Sequence, residues 1–384
     1  MKVYVKSKNV LIDHVFKPAT IHLSRGRIAS ILPYDTPADY DYEGCYVVPG
    51  FVDLHLHGGY GIDVLDEDED SFRQLQQRLL QEGTTSFLAT STTLETEMLK
   101  KALMHLGKKI ETQIAGSGAT CLGIHLEGPF LNPDFAGAQK VHDILKPSIS
   151  LFEAFQSASG DKIKRVTLAP ETDVNNMLTT HLSNQGILVS VGHSGATAEE
   201  THAAITAGAK LVTHLFNGMP QLHHREIGLN GMAMLSDQLV CEVIADGNHI
   251  NFNTIELVRK TKGPGGIVLV TDANKVKGLA PGEYTLHGRN VVLNERGEAR
   301  IKESGSLAGS TSKMNIAIKN IIENTTIDQV EAFQMASLYP AKLLNIDHIK
   351  GRIDIGHDAD IAILDQAYQI VDIYVAGQRK GREK

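Results

Sequence analysis

Residues 47–57 read VVPGFVDLHLH, a short apolar run with Pro49 and Gly50 near its start and polar residues gathered toward its end. That is the pattern of a buried strand rather than of a half-exposed one. His55 and His57 stand two residues apart, so on a strand both side chains leave from the same face. Seven more apolar runs follow: TTSFLAT (84–90), CLGIHLEG (121–128), RVTLAPE (165–171), GILVSVGHS (186–194), KLVTHLF (210–216), LVCEVIADG (239–247) and GIVLVTDA (266–273). Helical patterns lie between several of them. In DSFRQLQQRLLQEG (70–83), Phe72, Leu75, Leu79 and Leu80 recur at spacings of three and four, and Gly83 is a stop signal. The stretch 94–110 behaves alike, with Leu94, Met98, Leu99, Ala102, Leu103, Leu106 and Ile110. Eight strands alternating with helices over about 300 residues predict an α/β fold of the (β/α)8, TIM-like barrel kind, with insertions. A doubly wound open sheet is the competing architecture, but no G-x-G-x-x-G follows the first strand.

The two ends read differently. VYVKSKNVLID (3–13) and TIHLSRGRIASILP (20–33) alternate apolar and polar residues around a turn signal at Arg25-Gly26. GRIDIGHDADIAILD (351–365) and YQIVDIYVAGQR (368–379) do the same. Neither end can bury a core alone, so together they predict a small β-sandwich domain made from residues 1–49 and 350–384. That domain brackets a barrel over residues 50–349. LAPGEYTLHGRNVVLNERGEARI (279–301) reads as a hairpin insertion after the eighth strand.

Composition limits the partners. With 42% hydrophobic and 21% charged residues among 384, the chain is ordinarily globular. A net charge of −8 argues against nucleic acid or an anionic membrane surface as the main partner. No apolar run approaches the ~18 residues of a membrane span. The start, MKVYVKSKNV, lacks the apolar core of a signal peptide, so a cytoplasmic location is expected. Cys45, Cys121 and Cys241 form no CxxC pair and read as buried free thiols.

Barrel active sites lie at the C-terminal ends of the strands. At those ends stand His55 and His57, Glu127, His193, His214 and Asp272, from strands one, three, five, six and eight. Imidazoles facing a barrel interior without partners are costly, and a metal ion satisfies several at once. Imidazole and carboxylate ligands suit Zn²⁺, Fe²⁺ or related ions. A single histidine at a strand end is ordinarily just hydrogen-bonded, and an HxH pair alone is a weak signal. The full set at successive strand ends is a strong one. Asp272, closing the apolar run IVLV, reads either as a buried partner of a His or Arg, or as a general base facing water acidified by a metal ion. His125 shares a strand face with Glu127 and reads as interior filler or as a partner of the ligands. His142, His223 and His224 read as loop residues near the site. His14, His22, His105, His181, His202, His287, His348 and His357 read as surface or packing residues.

The motifs PGFVDLHLHG (49–58), HLEGPF (125–130), GHSGA (192–196), THLFNGMP (213–220), ADGNHI (245–250) and VTDA (270–273) resemble those of the N-acetylglucosamine-6-phosphate deacetylases of the amidohydrolase superfamily. The resemblance covers about residues 45 to 350, and GRIDIGHDADIAILD resembles the superfamily's C-terminal signature. It implies hydrolysis of N-acetyl-D-glucosamine 6-phosphate to glucosamine 6-phosphate and acetate, within amino-sugar catabolism. Glu127, His193 and His214 then match the principal metal ligands and Asp272 the catalytic acid/base. His55 and His57 match the pair that supports a second ion where present, giving one or two divalent ions of Zn, Fe, Mn or Co. Glu127 would bridge them in place of a carboxylated lysine, for which the LAPE end of strand four offers no candidate. Asn217, Gly218 and Arg225 match positions that hold the sugar phosphate, and a guanidinium fork suits phosphate. For Arg225 the plainer reading is an ion pair with Glu226. His249 matches a substrate-orienting histidine, Ala138 and Gln139 lie in a substrate-contacting stretch, and Leu307 matches an acetyl-pocket position. Gln139 stands where many members carry His, Gly218 where Ala is commoner and Ile227 where Pro is commoner, changes that bear on the choice of sugar epimer. Relatives form homodimers, in which Arg225 or His249 serves a neighbouring subunit. Two other readings are an amidohydrolase acting on N-acyl amino acids or cyclic amides, and a non-catalytic barrel serving as sensor or scaffold. The latter ordinarily loses ligands that this chain keeps.

Overall fold

The first stretch, 47–57, divides into two strands that belong to different sheets. In the computed structural model, which describes residues 2–381, Tyr46–Pro49 joins the sheet of the chain termini and Phe51–Leu56 begins the barrel. Residues 1 and 382–384 lie outside the described residues. Gly50 sits at the crossing, where a Cβ would come 2.2 Å from Thr85 Oγ1, so no side chain fits as the strand passes from one sheet to the other.

The barrel strands are Phe51–Leu56, Thr84–Thr90, Thr120–Glu127, Ile163–Leu168, Leu188–Val191, Leu211–Val212, Val240–Val243 and Ile267–Leu269, hydrogen-bonded in that order and all parallel. All eight runs marked in the sequence thus become strands, confirming the barrel over the open sheet. Closure occurs at the C-terminal end, where Leu56 bridges Ala273 and Asp272 N–H donates to His55 O at 2.8 Å. The closing seam therefore fixes the first strand's histidines against the eighth strand's aspartate. Helices such as Glu69–Leu79 and Thr96–Thr112 cover the outside with the apolar stripes read from their spacing; Phe72, Leu75, Leu79, Leu99, Leu103 and Leu106 are all buried.

The termini form one eight-stranded mixed sheet in which Tyr46–Pro49 pairs with both Lys2–Ile12 and Ile361–Leu364. Its strands alternate between two cores. Val47, Ile361 and Ile363 face a core of the sheet's own, whereas Val48, Ala362 and Leu364 pack into the barrel's core. This explains why these short strands are apolar on both faces. The insertion after the eighth strand is a three-stranded antiparallel sheet, Gly282–Leu286, Arg289–Leu293 and Ala299–Ile301, around its own cluster of Val276, Val291, Leu293 and Ile301.

Candidate metal centre and active site

Three site residues leave their strands through a left-handed backbone: His193 at φ 47°, His214 at φ 31° and Asp272 at φ 46°. Such conformations cost about 1–3 kcal/mol each for non-glycine residues and gather at functional sites. Backbone hydrogen bonds from neighbouring segments hold these turns: Asn132 N–H donates to His193 O at 3.0 Å, Leu215 N–H to Glu242 O at 2.9 Å, and Ser310 N–H to Asp272 O at 2.7 Å.

The six strand-end residues converge into two groups, His55, His57 and Asp272 in one and Glu127, His193 and His214 in the other, with one ligand atom from each residue within 4.8 Å of the rest of its group. In the first, His55 Nε2 and His57 Nε2 are 3.2 Å apart, and each lies 3.3 Å from Asp272 Oδ1. In the second, His193 Nε2 and His214 Nε2 are 3.1 Å apart and each lies 3.2 Å from Glu127 Oε1. Glu127 links the two: its Oε2 is 3.3 Å from His57 Nε2, and its Oε1 is 3.5 Å from His55 Nε2.

The donor set fits divalent cations. His193 Nδ1–H donates to Phe135 O at 2.9 Å, and His55 Nδ1–H donates to Glu242 Oε1 at 2.7 Å. In neutral imidazole that leaves Nε2 of each ring a bare lone pair, aimed at carboxylate oxygens that also only accept. Lone pairs crowded against lone pairs repel, and a cation between them reverses the sign. The alternative is extra protons. Burial alone would lower the His57 pKa, but hydrogen bonds to Asp272 and Glu127 raise it to about 9. Burial likewise opposes a raised His55 pKa, which the Asp272, Glu127 and Glu242 carboxylates push well up. For Asp272, burial is outweighed by His55 and His57, which hold it at about 2. The site thus stores negative charge that either protons or metal must neutralise.

A cavity of about 430 Å³ opens above these groups, lined among others by Ala138, Gln139, Asn217, Gly218, His249 and Leu307. Six of the seven substrate residues read from the sequence therefore come together. Arg225 does not. It lies exposed in the loop after the sixth strand, 2.8 Å from His224 Nε2 and outside the cavity lining, and Glu226 accepts from Ala198 N–H and Gly228 N–H instead of pairing with it. Gln139 is turned by its neighbours. Thr92 Oγ1, Thr93 N and Thr93 Oγ1 all donate to its Oε1, and its Nε2–H donates to Glu127 Oε2 at 2.8 Å. His249 Nδ1 bonds Asp246 Oδ2 at 2.8 Å, leaving Nε2 for the cavity. At Gly218, φ is 62° and a Cβ would stand 2.9 Å from His193 Nδ1, so the loop packs onto His193 only without a side chain.

Several residues at the site escaped the sequence reading. His287, read as a surface or packing residue, lines the cavity at the tip of the inserted sheet and bonds Asp63 Oδ2 at 3.0 Å. Beside it, Arg289 donates to Ala138 O at 2.7 Å, so the insertion is latched over the site at two points. Nothing in the periodicity marks where an insertion folds back. Below the six strand-end residues, Arg165 and Glu242 are an ion pair inside the barrel, with 0% side-chain exposure each and 2.5 Å between Arg165 NH1 and Glu242 Oε2. For Glu242 a signal existed, since it is a charge within the apolar run LVCEVIADG, the same anomaly that marked Asp272; Arg165 stands at the head of its run beside Lys164 and carried none. His125 sits in this layer too, between Thr90 Oγ1 and Thr167 Oγ1, and so is a polar filler of the barrel floor.

Residues 46–382 match the Amidohydrolase family. The chain belongs to that family. Within it, this amidohydrolase is 36% identical over 365 residues to an N-acetylglucosamine-6-phosphate deacetylase of Bacillus subtilis (strain 168), covering 94% of this chain and 92% of the relative. It is 34% identical over 361 residues to an N-acetylgalactosamine-6-phosphate deacetylase of Escherichia coli O157:H7, covering 93% of each. Its fold superposes with a TM-score of 0.92, at 27% identity and over 98% of this chain and 99% of the other, on a mutant N-acetyl-D-glucosamine-6-phosphate deacetylase from Mycobacterium smegmatis solved in complex with N-acetyl-D-glucosamine-6-phosphate. Among the described residues, no helix is long and apolar enough to cross a membrane.

Proposed function

We propose that this amidohydrolase removes the acetyl group from N-acetyl-D-glucosamine 6-phosphate, releasing acetate and D-glucosamine 6-phosphate in amino-sugar catabolism. The observation that carries the reading is the meeting of six ligand-type side chains beneath a cavity lined by six of the seven expected substrate residues. His55, His57, Glu127, His193, His214 and Asp272 would hold one or two divalent ions (Zn, Fe, Mn or Co), which when bound would supply Lewis acidity toward the acetamide carbonyl and toward a water, whose pKa such ions can bring to about 7.

The chain's own residues do the rest. Asp272, ionised and 3.3 Å from two imidazoles, takes one proton from the attacking water. The water oxygen bonds to the acetyl carbon, the carbon–nitrogen bond breaks, and Asp272 returns the proton to the departing amine. His249, anchored by Asp246, donates a hydrogen bond to the substrate, and Asn217 and Gly218 hold its phosphate. Gln139 holds Glu127 in place through the amide it donates to Oε2. Arg225 reaches the phosphate of a neighbouring subunit's substrate, so the working form is a homodimer, in the cytoplasm. Residues 1–49 with 350–384 act as the supporting domain and 50–349 as the catalytic one.

Acetate release from N-acetylglucosamine 6-phosphate, with and without the phosphate, tests this together with metal content on the same sample. Turnover of the phosphorylated sugar with at least one ion per chain supports it; no turnover by metal-loaded protein overturns it. The galactosamine epimer belongs in the same assay, because the two relatives of opposite epimer differ by only two points of identity, 36% against 34%.

A further inference from the structure

The barrel floor beneath the six ligand-type side chains holds an ion pair that burial makes expensive. Arg165, from the fourth strand, and Glu242, from the seventh, have no side-chain exposure at all. Barrel interiors are ordinarily filled by Val, Ile and Leu, and replacing a buried pair by apolar residues often leaves stability unchanged or higher. A retained buried pair therefore asks for a use.

Its neighbours show one. Arg165 NH1 lies 2.5 Å from Glu242 Oε2, which keeps that carboxylate ionised and able only to accept. Its other nitrogens are engaged too: Nε donates to Ser190 Oγ at 2.8 Å, NH1 also to Leu54 O at 3.0 Å, and NH2 to Thr213 Oγ1 at 3.1 Å. Glu242 Oε1 then accepts twice, from His55 Nδ1–H at 2.7 Å and from His214 N–H at 3.1 Å. An acceptor at Nδ1 places the imidazole proton there and leaves Nε2 bare, facing His57 and Asp272. No other histidine of the two groups has this arrangement among the described residues. His193 leans on the neutral carbonyl of Phe135, and His214 Nδ1 is buried without a partner.

We propose that Glu242 is a positioning residue for the ion site formed by His55, His57 and Asp272: it fixes the tautomer of His55 and, paired with Arg165, decides whether that position holds an ion. This rests on the reading of a two-ion centre given above. Glu242→Gln is informative because all three neighbours of the carboxylate are donors. At the Oε1 position the amide NH2 faces both His55 Nδ1 and the His214 N–H, and at the Oε2 position it faces Arg165. Arg165 and the His214 N–H cannot give up their protons, whereas His55 can move its proton from Nδ1 to Nε2. Doing so removes the lone pair that the ion needs.

The expected result is a loss of roughly ten- to hundredfold in affinity at the His55/His57/Asp272 position. The Glu127/His193/His214 position keeps its ion. The measurement is zinc stoichiometry and dissociation constants by competition with a chromophoric chelator, on purified full-length protein stripped and then titrated with zinc. A second variant, Arg165→Met with Glu242→Leu, removes both charges together and so leaves no unpaired buried charge. It should melt near the wild type and still bind the second zinc weakly, which separates a positioning role from a structural one. Two zinc ions with unchanged constants in the wild type and both variants would overturn the role of Glu242. Fewer than two ions in the wild type would instead overturn the two-ion reading beneath it.

Discussion

Asp272→Asn isolates the proposed acid/base from the scaffold that carries it. The substitution keeps shape and keeps the backbone bonds, Asp272 N–H to His55 O at 2.8 Å and Ser310 N–H to Asp272 O at 2.7 Å. The φ of 46° suits Asn as well as Asp, since both tolerate the left-handed region. With the ion positions saturated, the melting temperature should therefore hardly move. Asn can neither take a proton from water nor return one to the amine, and a positioned acid/base contributes typically 10²–10⁴-fold. That corresponds to about 3–5 kcal/mol on the barrier. KM should stay within a few-fold, because the residues assigned to the sugar phosphate are untouched. A second effect has to be separated from the first. Asp272 is also a charged neighbour of His55 and His57, so its loss weakens the ion position it shares with them. His57→Asn weakens the same position while leaving Asp272 in place. If Asp272 moves the proton, Asp272→Asn should be at least about tenfold slower than His57→Asn under saturating metal, given the size of the acid/base contribution. The assay is acetate release at saturating substrate, with metal content on the same preparations. Equal rates in the two variants, or an Asn variant within tenfold of wild type, would refute the assignment.

Three further perturbations test other parts of the site. Arg225→Ala removes an exposed guanidinium that lines no cavity of its own subunit; if it serves a neighbour's phosphate, KM for the phosphorylated sugar rises roughly ten- to hundredfold, as for a lost charge-assisted bond of about 1.5–3 kcal/mol, with kcat little changed. An unchanged KM would leave the phosphate to cations within the cavity, such as Arg289. His249 is subject to burial, which lowers its pKa, but the bond to Asp246 outweighs this and raises it above the usual 6.5. With Nδ1–H committed to Asp246, Nε2 donates to substrate only in the protonated ring, so KM should be lowest below that raised pKa and climb as pH rises through it; a His249→Gln variant with the same pH profile would count against the role. Stripping metal with a chelator should lower the melting temperature, since an ion a thousandfold above its Kd contributes about 4 kcal/mol. In the stripped protein His57, raised to about 9 against the outward pull of burial by Asp272 and Glu127, stabilises fully below 6.5 and loses that contribution as pH rises to 9. Melting of stripped protein should therefore fall between pH 6.5 and 9 while metal-loaded protein changes less; parallel curves would show that protons and metal do not share the site.

What could be read from the chain, and what could not, divides along a physical line. Strand periodicity tells which face a residue occupies, and His55 and His57, two apart, had to share one. Parallel strands in a barrel place every C-terminal end on one rim, so Glu127, His193, His214 and Asp272 were brought together by topology before any distance was known. Depth along the barrel axis is not periodic in sequence, and the rim could be read while the floor could not. Arg165 lies only six residues before Glu171, yet its partner Glu242 comes from a strand three positions around the barrel. What pairs them is stagger, which depends on where each strand enters the sheet. Register irregularities such as those between Ile124 and His125 and between Asp53 and Leu56 reset it without a mark in the sequence. The same limit applies outward. His287 and Arg289 lie on an insertion whose strands were legible from their alternation, but the angle at which a small sheet folds back on a barrel depends on Asp63 and the Ala138 carbonyl, far off in sequence. Arg225 marks the outer edge of the problem. A loop position that matches a phosphate contact says which chemistry the residue offers, and only the assembled surface says to which cavity it is offered. For a barrel of this kind, charges inside apolar runs therefore merit the same suspicion wherever they occur. By that rule Glu242, and through it its partner Arg165, stands beside Asp272, as part of the layer proposed to orient what the rim presents.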